Sequence, residues 1–272
     1  MNYSVSLKKI LNENAKLYIE DRYFKKDVHW YHSIGQSKTI LFLEYSENKH
    51  GNFLDSSYHA IMTNEAWKER LKKQHSQKSA LPKDKQSNAK ELDSSNSSDA
   101  LLMNIFCYPD LHLTALFNDL IFEPTDEIYF GYSGKVPKIN GEDNTEIDMK
   151  IGNTIFEAKL TENDFTAQSK DIVESYTDFY EVFDKNSLPQ DSTNYYGYQL
   201  IRNILCAKNK SCFFNLLIDE RRLDLIKYFW LVARSIKDDN LRFMCNFITW
   251  QDLTRSLPTE LNKFLSLKYG IC

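Results

Sequence analysis

Two carboxylates and a lysine lie close together near the middle of the chain. Asp148 is part of TEIDMKI, and Glu157, Ala158 and Lys159 follow within TIFEAKL after a Gly-Asn pair. Carboxylate and carbonyl oxygens are ligands for hard divalent cations, and Mg²⁺ or Mn²⁺ suits them better than zinc. These residue types therefore predict a cation-binding site with a lysine ammonium beside it.

The segments that carry these residues have the pattern of a β-hairpin. A Gly-Asn pair between two alternating runs is typical of a two-residue turn. Counting outward from this turn, Asp148 faces Glu157, and Glu146 faces Lys159. Because strand side chains alternate with period two, these four residues are expected on one face. The opposite, apolar face is expected to hold Ile147, Met149, Phe156 and Ala158.

The predicted pairing of Asp148 with Glu157 is unfavourable unless a ligand compensates. Directly opposed side chains of an antiparallel pair lie roughly 5 Å apart. At an effective dielectric constant of about 20, two like charges at that distance repel by about 3 kcal/mol. A cation bound between the two carboxylates would offset this repulsion, so the pair predicts a cation-binding site. A purely structural alternative remains, in which Glu146 pairs with Lys159.

The spacing Asp148, Glu157, Ala158, Lys159 resembles the PD-(D/E)XK nuclease superfamily, with Ile147 at the position of the motif's proline. The resemblance implies a restriction endonuclease-like α/β (α+β) fold, in which helices flank a central mixed β-sheet. It also implies metal-dependent hydrolysis of phosphodiester bonds. Asp148, Glu157 and the Ala158 carbonyl would hold Mg²⁺ or Mn²⁺, and Lys159 would orient the attacking water and stabilise charge on the phosphate.

The order of predicted elements around the hairpin agrees with this resemblance. A helix capped by Ser97 or Ser98 precedes it, and residues 164–183 carry apolar side chains at helical spacing. Residues 195–208 predict a second helix, and the apolar run 212–218 predicts a buried strand. SSDALLMNIF, EAKLTENDF and YQLIRN are also similar to segments of bacterial proteins assigned as restriction endonucleases.

Three further positions are candidates for the site. Some nuclease relatives place a glutamine on the helix after the lysine strand, which assigns Gln199 a supporting catalytic role. Arg202 follows on the same helix face, where it would clamp a phosphate or pair with a surface acid. The superfamily often has a glutamate on its first core helix; the corresponding segment here has none, and Asp99 or Asn104 would have to replace it. The adjacent Arg221 and Arg222 predict only surface charge.

Composition divides the chain into three regions. Residues 1–75 are predicted to form an N-terminal accessory α+β region packed on the core. Residues 76–97 are polar and predict a flexible linker or loop, and residues 98–272 are predicted to form the nuclease-like core with a C-terminal cover. Basic residues exceed acidic ones between Lys68 and Lys90, which indicates either a solvated face or contact with a phosphate backbone.

Whole-chain properties exclude several classes of protein. The N-terminus has no apolar signal region and no apolar stretch is long enough to span a bilayer, so we expect a cytoplasmic protein without membrane contact. Five cysteines without CxxC spacing argue against a disulfide framework and a structural zinc site.

The resemblance implies a DNA substrate, expected to be double-stranded, and leaves a homodimer open. The net charge of −4 does not by itself indicate a nucleic-acid binder. The alternative to an active enzyme is a catalytically inactive nuclease fold that binds nucleic acid or a protein partner.

Overall fold

The computed structural model describes residues 2–21, 40–42, 44–46, 49–75, 90–117, 120–123 and 125–272. Contacts divide the chain into two compact units. The terminal unit comprises residues up to 122 together with 250–272, and the central unit comprises residues 123–249. In the described part of the chain, no helix combines the length and the apolar character that crossing a membrane requires.

The terminal unit is mostly helical. Its helices are α1 (Tyr3–Asp21), α2 (Asp55–Thr63), α3 (Glu65–Arg70), α4 (Ser98–Phe106), α5 (Leu113–Leu116), α11 (Trp250–Thr254) and α12 (Thr259–Tyr269), with a 3₁₀ turn at Glu91–Asp93. The antiparallel strands β1 (Glu44–Ser46) and β2 (Lys49–His50) form a small sheet. As predicted, Ser97 caps α4, since its Oγ accepts the N–H of Ala100 over 3.1 Å.

The central unit contains the main sheet. Its strands are β3 (Ile128–Ser133), β4 (Val136–Lys138), β5 (Gly141–Asp143), β6 (Glu146–Ile151), β7 (Thr154–Lys159), β8 (Ala167–Ser169), β9 (Asn194–Tyr196), β10 (Phe213–Ile218) and β11 (Cys245–Thr249). Its helices are α6 (Lys170–Val173), α7 (Phe179–Val182), α8 (Tyr198–Lys210), α9 (Leu223–Ala233) and α10 (Asp239–Phe243). The predicted helix at 195–208 and strand at 212–218 correspond to α8 and β10.

Five of these strands form one mixed sheet in the order β11-β10-β7-β6-β3. β3, β6 and β7 are antiparallel neighbours, whereas β7, β10 and β11 run parallel. Helix α8 directly precedes β10 in the chain and packs on β7 and β10. The fold is therefore α+β, with helices flanking a central mixed sheet, and this confirms the predicted fold class.

The turn between β6 and β7 is the predicted two-residue hairpin turn. Ile151 pairs with Thr154, and Gly152 has φ +50°, a conformation that favours glycine. The positive φ of this residue therefore favours glycine, and the turn sets the register of the hairpin.

Helix α8 covers the part of the sheet that carries the candidate site. Its apolar side chains belong to the same buried cluster as side chains of β7 and β10, including Leu200, Ile201 and Ile204 of α8 with Ile155, Phe214 and Leu216 of the strands. Every residue of β7 is buried. A parallel strand covered on both faces is normally apolar, so buried charges at the end of β7 call for a specific reason.

The prediction of one helix across residues 164–183 is wrong, because the chain there forms β8 and the two short helices α6 and α7. Between these helices the backbone pairs with β4 instead. The N–H of Ile139 donates to the carbonyl of Ser175, and the N–H of Thr177 donates to the carbonyl of Pro137. Backbone groups used in this pairing are not available for a continuous helix.

The run RFMCNFI at 242–248 predicts a strand, but the strand begins later than this pattern indicates. Helix α10, which Asp238 caps, occupies residues up to Phe243, and β11 begins at Cys245. The cap accounts for the shift, since the Asp238 carboxylate accepts the N–H of Asn240 over 2.8 Å and starts the helix.

The division into three regions predicted from composition stays a prediction. Within the terminal unit, α12 packs on α1, where the rings of Tyr18 and Phe264 meet edge to face at 5.6 Å. Residues 76–89 of the predicted linker lie outside the described residues. The remainder, 90–97, includes the 3₁₀ turn and is mostly buried.

Candidate active site

The end of β7 and the middle of β6 place Asp148 beside the Glu-Ala-Lys segment. The backbone N–H of Ala158 donates to Oδ2 of Asp148 over 2.8 Å. Asp148 is half-buried, whereas Glu157 and Lys159 on β7 are buried. The structure thus brings the three predicted charged residues of the motif together.

Glu157 and Lys159 form a direct ion pair inside the protein. Nζ of Lys159 lies 2.6 Å from Oε1 of Glu157, and their side chains are only 5% and 3% exposed. Breaking a pair at this depth leaves an uncompensated charge, which is far more costly than losing a surface salt bridge. The pair is therefore a firmly held part of the site.

The surrounding charges keep both members of the pair ionised. Burial alone would raise the pKa of Glu157, but the charges of Lys159 and Arg202 outweigh it and hold that pKa below its usual value. Burial would lower the pKa of Lys159. The charges of Glu157, Glu162 and Asp148 outweigh this effect and raise the pKa of Lys159 above its usual value.

Helix α8 supplies a second contact to Glu157. Asn203, which is fully buried, donates from Nδ2 to Oε2 of Glu157 over 2.8 Å. Nε and Nη2 of Arg202 donate to Oδ1 of the same amide over 3.2 and 3.1 Å. Because Arg202 has only donors, it fixes which side of the Asn203 amide points to Glu157.

Arg202 is a buried positioning residue, so the predicted roles of phosphate clamp and surface pair are not what its contacts indicate. It is 3% exposed, and its Nη2 also donates to the carbonyl of Glu146 over 3.0 Å. The guanidinium therefore joins α8 to the start of β6. Its charge also acts on Glu157, as the pKa of that residue shows.

The backbone pairing of β6 with β7 ends before it reaches Asp148, at Met149 and Phe156. Burial alternates along β6, with Ile147, Met149 and Ile151 buried. The Asp148 carboxylate accepts a hydrogen bond from the N–H of Ala158. At this point a side chain of β6, rather than its backbone, is the partner of β7.

The loop after β7 adds a third acidic residue near Lys159. Oε2 of Glu162 accepts the N–H of Leu160 over 2.7 Å, and the charge of Glu162 contributes to the raised pKa of Lys159. Nη1 of Arg222 donates to the carbonyls of Leu160 and Glu162 over 3.2 and 2.7 Å. The loop is therefore stabilised by the Glu162 side chain within it and by Arg222, which binds its backbone carbonyls.

The donor atoms of this site fit a hard divalent cation. Asp148 and Glu157 contribute carboxylate oxygens, and the Ala158 carbonyl adds a neutral oxygen. The lowered pKa of Glu157 means that no proton has to be displaced from it at neutral pH. In the described ranges, no three or more His, Cys, Asp or Glu side chains form a group arranged to hold a metal ion. Backbone carbonyl and water oxygens would have to complete the coordination.

The sequence of this chain matches a known protein family. A family model described as "Restriction Endonuclease associating with ARP" matches residues 12–270. The chain belongs to the REase-ARP family. No curated protein and no solved structure gives a significant match. The family description is that of a restriction endonuclease, whereas membership in the PD-(D/E)XK superfamily itself remains a resemblance.

In this REase-ARP chain, the two candidates for a helix-borne acid have partners in the terminal unit. The carboxylate of Asp99 accepts from Nη2 of Arg70 at 3.1 Å and from Nζ of Lys73 at 2.6 Å. Oδ1 of Asn104 accepts the N–H of Leu54 over 2.8 Å. These contacts give both side chains a structural role, and their predicted role in catalysis stays a prediction.

Gln199 lies on α8 one turn before Asn203, and it is half-buried. The residue of this helix that contacts Glu157 is Asn203, which sequence reasoning did not select. Its signal in the sequence is weak, because an asparagine four residues after Gln199 on an amphipathic helix is common. Only the full burial of Asn203 and its contact with an ionised carboxylate distinguish it.

Arg222 was assigned to surface charge, and this prediction is wrong. Its side chain is fully buried, and it binds the Asp224 carboxylate with Nε and Nη2, both at 2.9 Å. The carbonyls of the loop after β7 satisfy its remaining donors. A run of two arginines after a strand gives no indication of which one points inward.

Proposed function

We propose that this REase-ARP protein is a Mg²⁺- or Mn²⁺-dependent endonuclease that hydrolyses phosphodiester bonds in double-stranded DNA. The observation that supports the proposal is the contact of the Asp148 carboxylate with the N–H of Ala158, the residue between Glu157 and Lys159, which form a buried ion pair. Membership in a family named for a restriction endonuclease supports the same chemistry.

The roles of the residues follow from their chemistry. When bound, the cation would supply Lewis acidity and a water molecule activated as a nucleophile. Asp148, Glu157 and the Ala158 carbonyl would hold it. Lys159 keeps its proton because its pKa is raised, so it acts as a fixed cation that orients water and stabilises negative charge on the phosphate.

The supporting residues hold Glu157 in place. Asn203 donates to one oxygen of Glu157, and Arg202 orients Asn203. Groups that orient metal ligands in this way commonly affect metal affinity and activity. Gln199, one turn earlier on the same helix, is proposed to contact the substrate or an attacking water rather than Glu157.

Incubation of the purified protein with supercoiled plasmid tests this proposal. We expect nicked and then linear DNA with Mg²⁺ or Mn²⁺, and intact plasmid when EDTA is added. A single-stranded RNA of mixed sequence serves as the substrate control. Intact plasmid at all Mg²⁺ and Mn²⁺ concentrations would rule out the proposed activity.

A second candidate is an inactive nuclease fold that binds nucleic acid or a protein partner. It is favoured by the fact that both carboxylate oxygens of Glu157 already accept hydrogen bonds, from Lys159 and Asn203. The words "associating with ARP" in the family description favour a binding partner. Thermal unfolding with and without Mn²⁺ separates the candidates, because a cation that binds only the folded protein raises the midpoint of unfolding.

A further inference from the structure

Phe165 lies against the ammonium group of Lys159 in the candidate active site. The centre of its ring is 5.9 Å from Nζ of Lys159, and the buried ring also packs on Tyr228 of α9, with 6.2 Å between the two ring centres. The side chain of Lys159 is 5% exposed and that of Glu157 is 3% exposed. A phosphate of DNA cannot reach side chains with so little exposed surface unless part of the protein moves.

Phe165 belongs to the turn formed by residues 164–166, at the end of the loop after β7. Within this turn the N–H of Thr166 donates to Oδ1 of Asp164 over 2.7 Å. The beginning of the loop is held separately, because Arg222 binds its carbonyls at residues 160 and 162. A movement of the turn can therefore leave the start of the loop in place.

Thr166 has a strained backbone conformation. Its φ is +58°, in the left-handed region that β-branched residues rarely adopt. Such residues persist where surrounding contacts hold them, and they are common at ligand clamps and switch regions. Here the N–H groups of Gly197 and Tyr198 donate to the Thr166 carbonyl over 2.9 and 3.0 Å. The N–H of Gln199 donates to the Phe165 carbonyl over 3.1 Å. The start of α8 therefore holds the strained turn closed.

We propose that residues 164–166 form a lid over Lys159, which opens at Thr166 to admit DNA. This inference rests on the proposed nuclease function. Opening moves Phe165 away from the ammonium group and breaks the hydrogen bonds between the lid and the N–H groups of residues 197–199. Rotation of Thr166 into the extended region supplies the movement and relieves its strain. Because DNA binds productively to the open lid, the apparent affinity depends on the fraction of molecules that are open.

Thr166→Asn tests the lid, because asparagine adopts the left-handed conformation more readily than a β-branched residue. This variant should stabilise the closed lid and lower the open fraction about fivefold. Amide hydrogen exchange at residues 197–199, measured by NMR, should slow by about the same factor. In plasmid cleavage with Mn²⁺, KM should rise to the same extent, whereas kcat at saturating DNA should stay unchanged.

Ser211→Asn is the matched control, because Ser211 also has a left-handed backbone, with φ +49°, but lies at the opposite end of α8. The substitution there should change neither the exchange at residues 197–199 nor KM. Phe165→Leu tests the opposite direction, since a smaller side chain makes fewer contacts with Tyr228 and should speed this exchange. Thermal unfolding of each variant shows whether it is folded.

Unchanged exchange in Thr166→Asn or in Phe165→Leu would refute the lid. Equal slowing in Thr166→Asn and Ser211→Asn would refute it as well, because these amides would then exchange only when the unit unfolds. Slower exchange in Thr166→Asn with an unchanged KM would mean that the turn opens without admitting DNA, and the nuclease proposal would stand without the lid. If wild type cleaves no plasmid, the nuclease proposal falls, and the admission of DNA falls with it.

Discussion

Asn203 and Glu157 are joined by a hydrogen bond of 2.8 Å although 46 positions separate them in the sequence. The contact links helix α8 to the carboxylate of β7 that we propose as a metal ligand. Arg202 fixes the orientation of the amide, so that its NH₂ group rather than its oxygen meets Glu157. Glu157 is therefore positioned from two elements, its own strand and the covering helix.

Replacing Asn203 with alanine should reduce the rate of Mn²⁺-dependent plasmid cleavage by about tenfold or more, because ligand-orienting contacts typically contribute this much. The apparent Mn²⁺ concentration for half-maximal activity should rise as well. Gln199→Ala is the control on the same helix, and it should leave that Mn²⁺ concentration unchanged. The reverse result, with an altered Mn²⁺ requirement only in Gln199→Ala, would favour the glutamine predicted from the sequence.

Asp148 should stabilise the folded protein as a hydrogen-bond acceptor, in addition to its role in the proposed metal site. In Asp148→Ala the N–H of Ala158 loses its partner, so this variant should be less stable than Asp148→Asn by about 1 kcal/mol. Urea unfolding without metal measures the difference. Equal stability of the two variants, or a gain in Asp148→Ala, would show that repulsion among the carboxylates outweighs the hydrogen bond.

The Glu157–Lys159 pair should show strong coupling in a double-mutant cycle. Lys159→Met alone leaves the Glu157 charge buried without its closest cation and should cost about 3–5 kcal/mol. In the double variant Glu157→Gln, Lys159→Met the cost should be well below the sum of the single costs. Additive costs, measured by urea unfolding, would mean that the two side chains do not depend on each other.

Asp99 should make the terminal unit sensitive to acid. Burial alone would raise its pKa, but Arg70 and Lys73 hold it below the usual value of 3.8. Since the folded pKa lies below the unfolded one, the stabilisation is complete above the unfolded pKa and is lost as pH falls through the folded pKa. Asp99→Asn should cost about 3 kcal/mol at neutral pH.

The control for Asp99 is Asp55→Asn, a change at an acid whose side chain is 51% exposed. Unfolding midpoints measured from neutral pH down to about 3 should converge for wild type and Asp99→Asn, because the folded-state advantage of the carboxylate is being lost. Asp55→Asn should run parallel to wild type. A constant gap between wild type and Asp99→Asn at all pH values would contradict the expected titration.

The features that the sequence predicts well depend on short-range patterns. The Gly152 turn, the helix that contains Gln199 and the strand at 213–218 follow from spacing, caps and apolar runs. The hairpin register follows from the turn, and with it the approach of Asp148 to the Glu-Ala-Lys segment. Local geometry is sufficient for each of these predictions.

The features that the sequence does not reveal depend on long-range contacts. Apolar spacing across 164–183 is consistent with a helix, but backbone pairing of Ser175 and Thr177 with the β4 strand divides the segment. The inward direction of Arg222 and the contact of Asn203 with Glu157 arise from packing of separate elements. The division into two units likewise depends on contacts between the two ends of the chain, such as Tyr18 with Phe264.

The central claim is that Asp148, Glu157 and Lys159 act as one metal-dependent hydrolytic site. Initial rates of plasmid cleavage across a Mn²⁺ titration test it directly, for wild type, Asp148→Asn, Lys159→Met and the control Glu146→Gln, which changes an exposed acid on the same strand. We predict cleavage by wild type and Glu146→Gln, and cleavage lowered at least about a hundredfold in the other two variants. Cleavage at wild-type rates by Asp148→Asn or Lys159→Met, with the protein folded, would contradict the assignment.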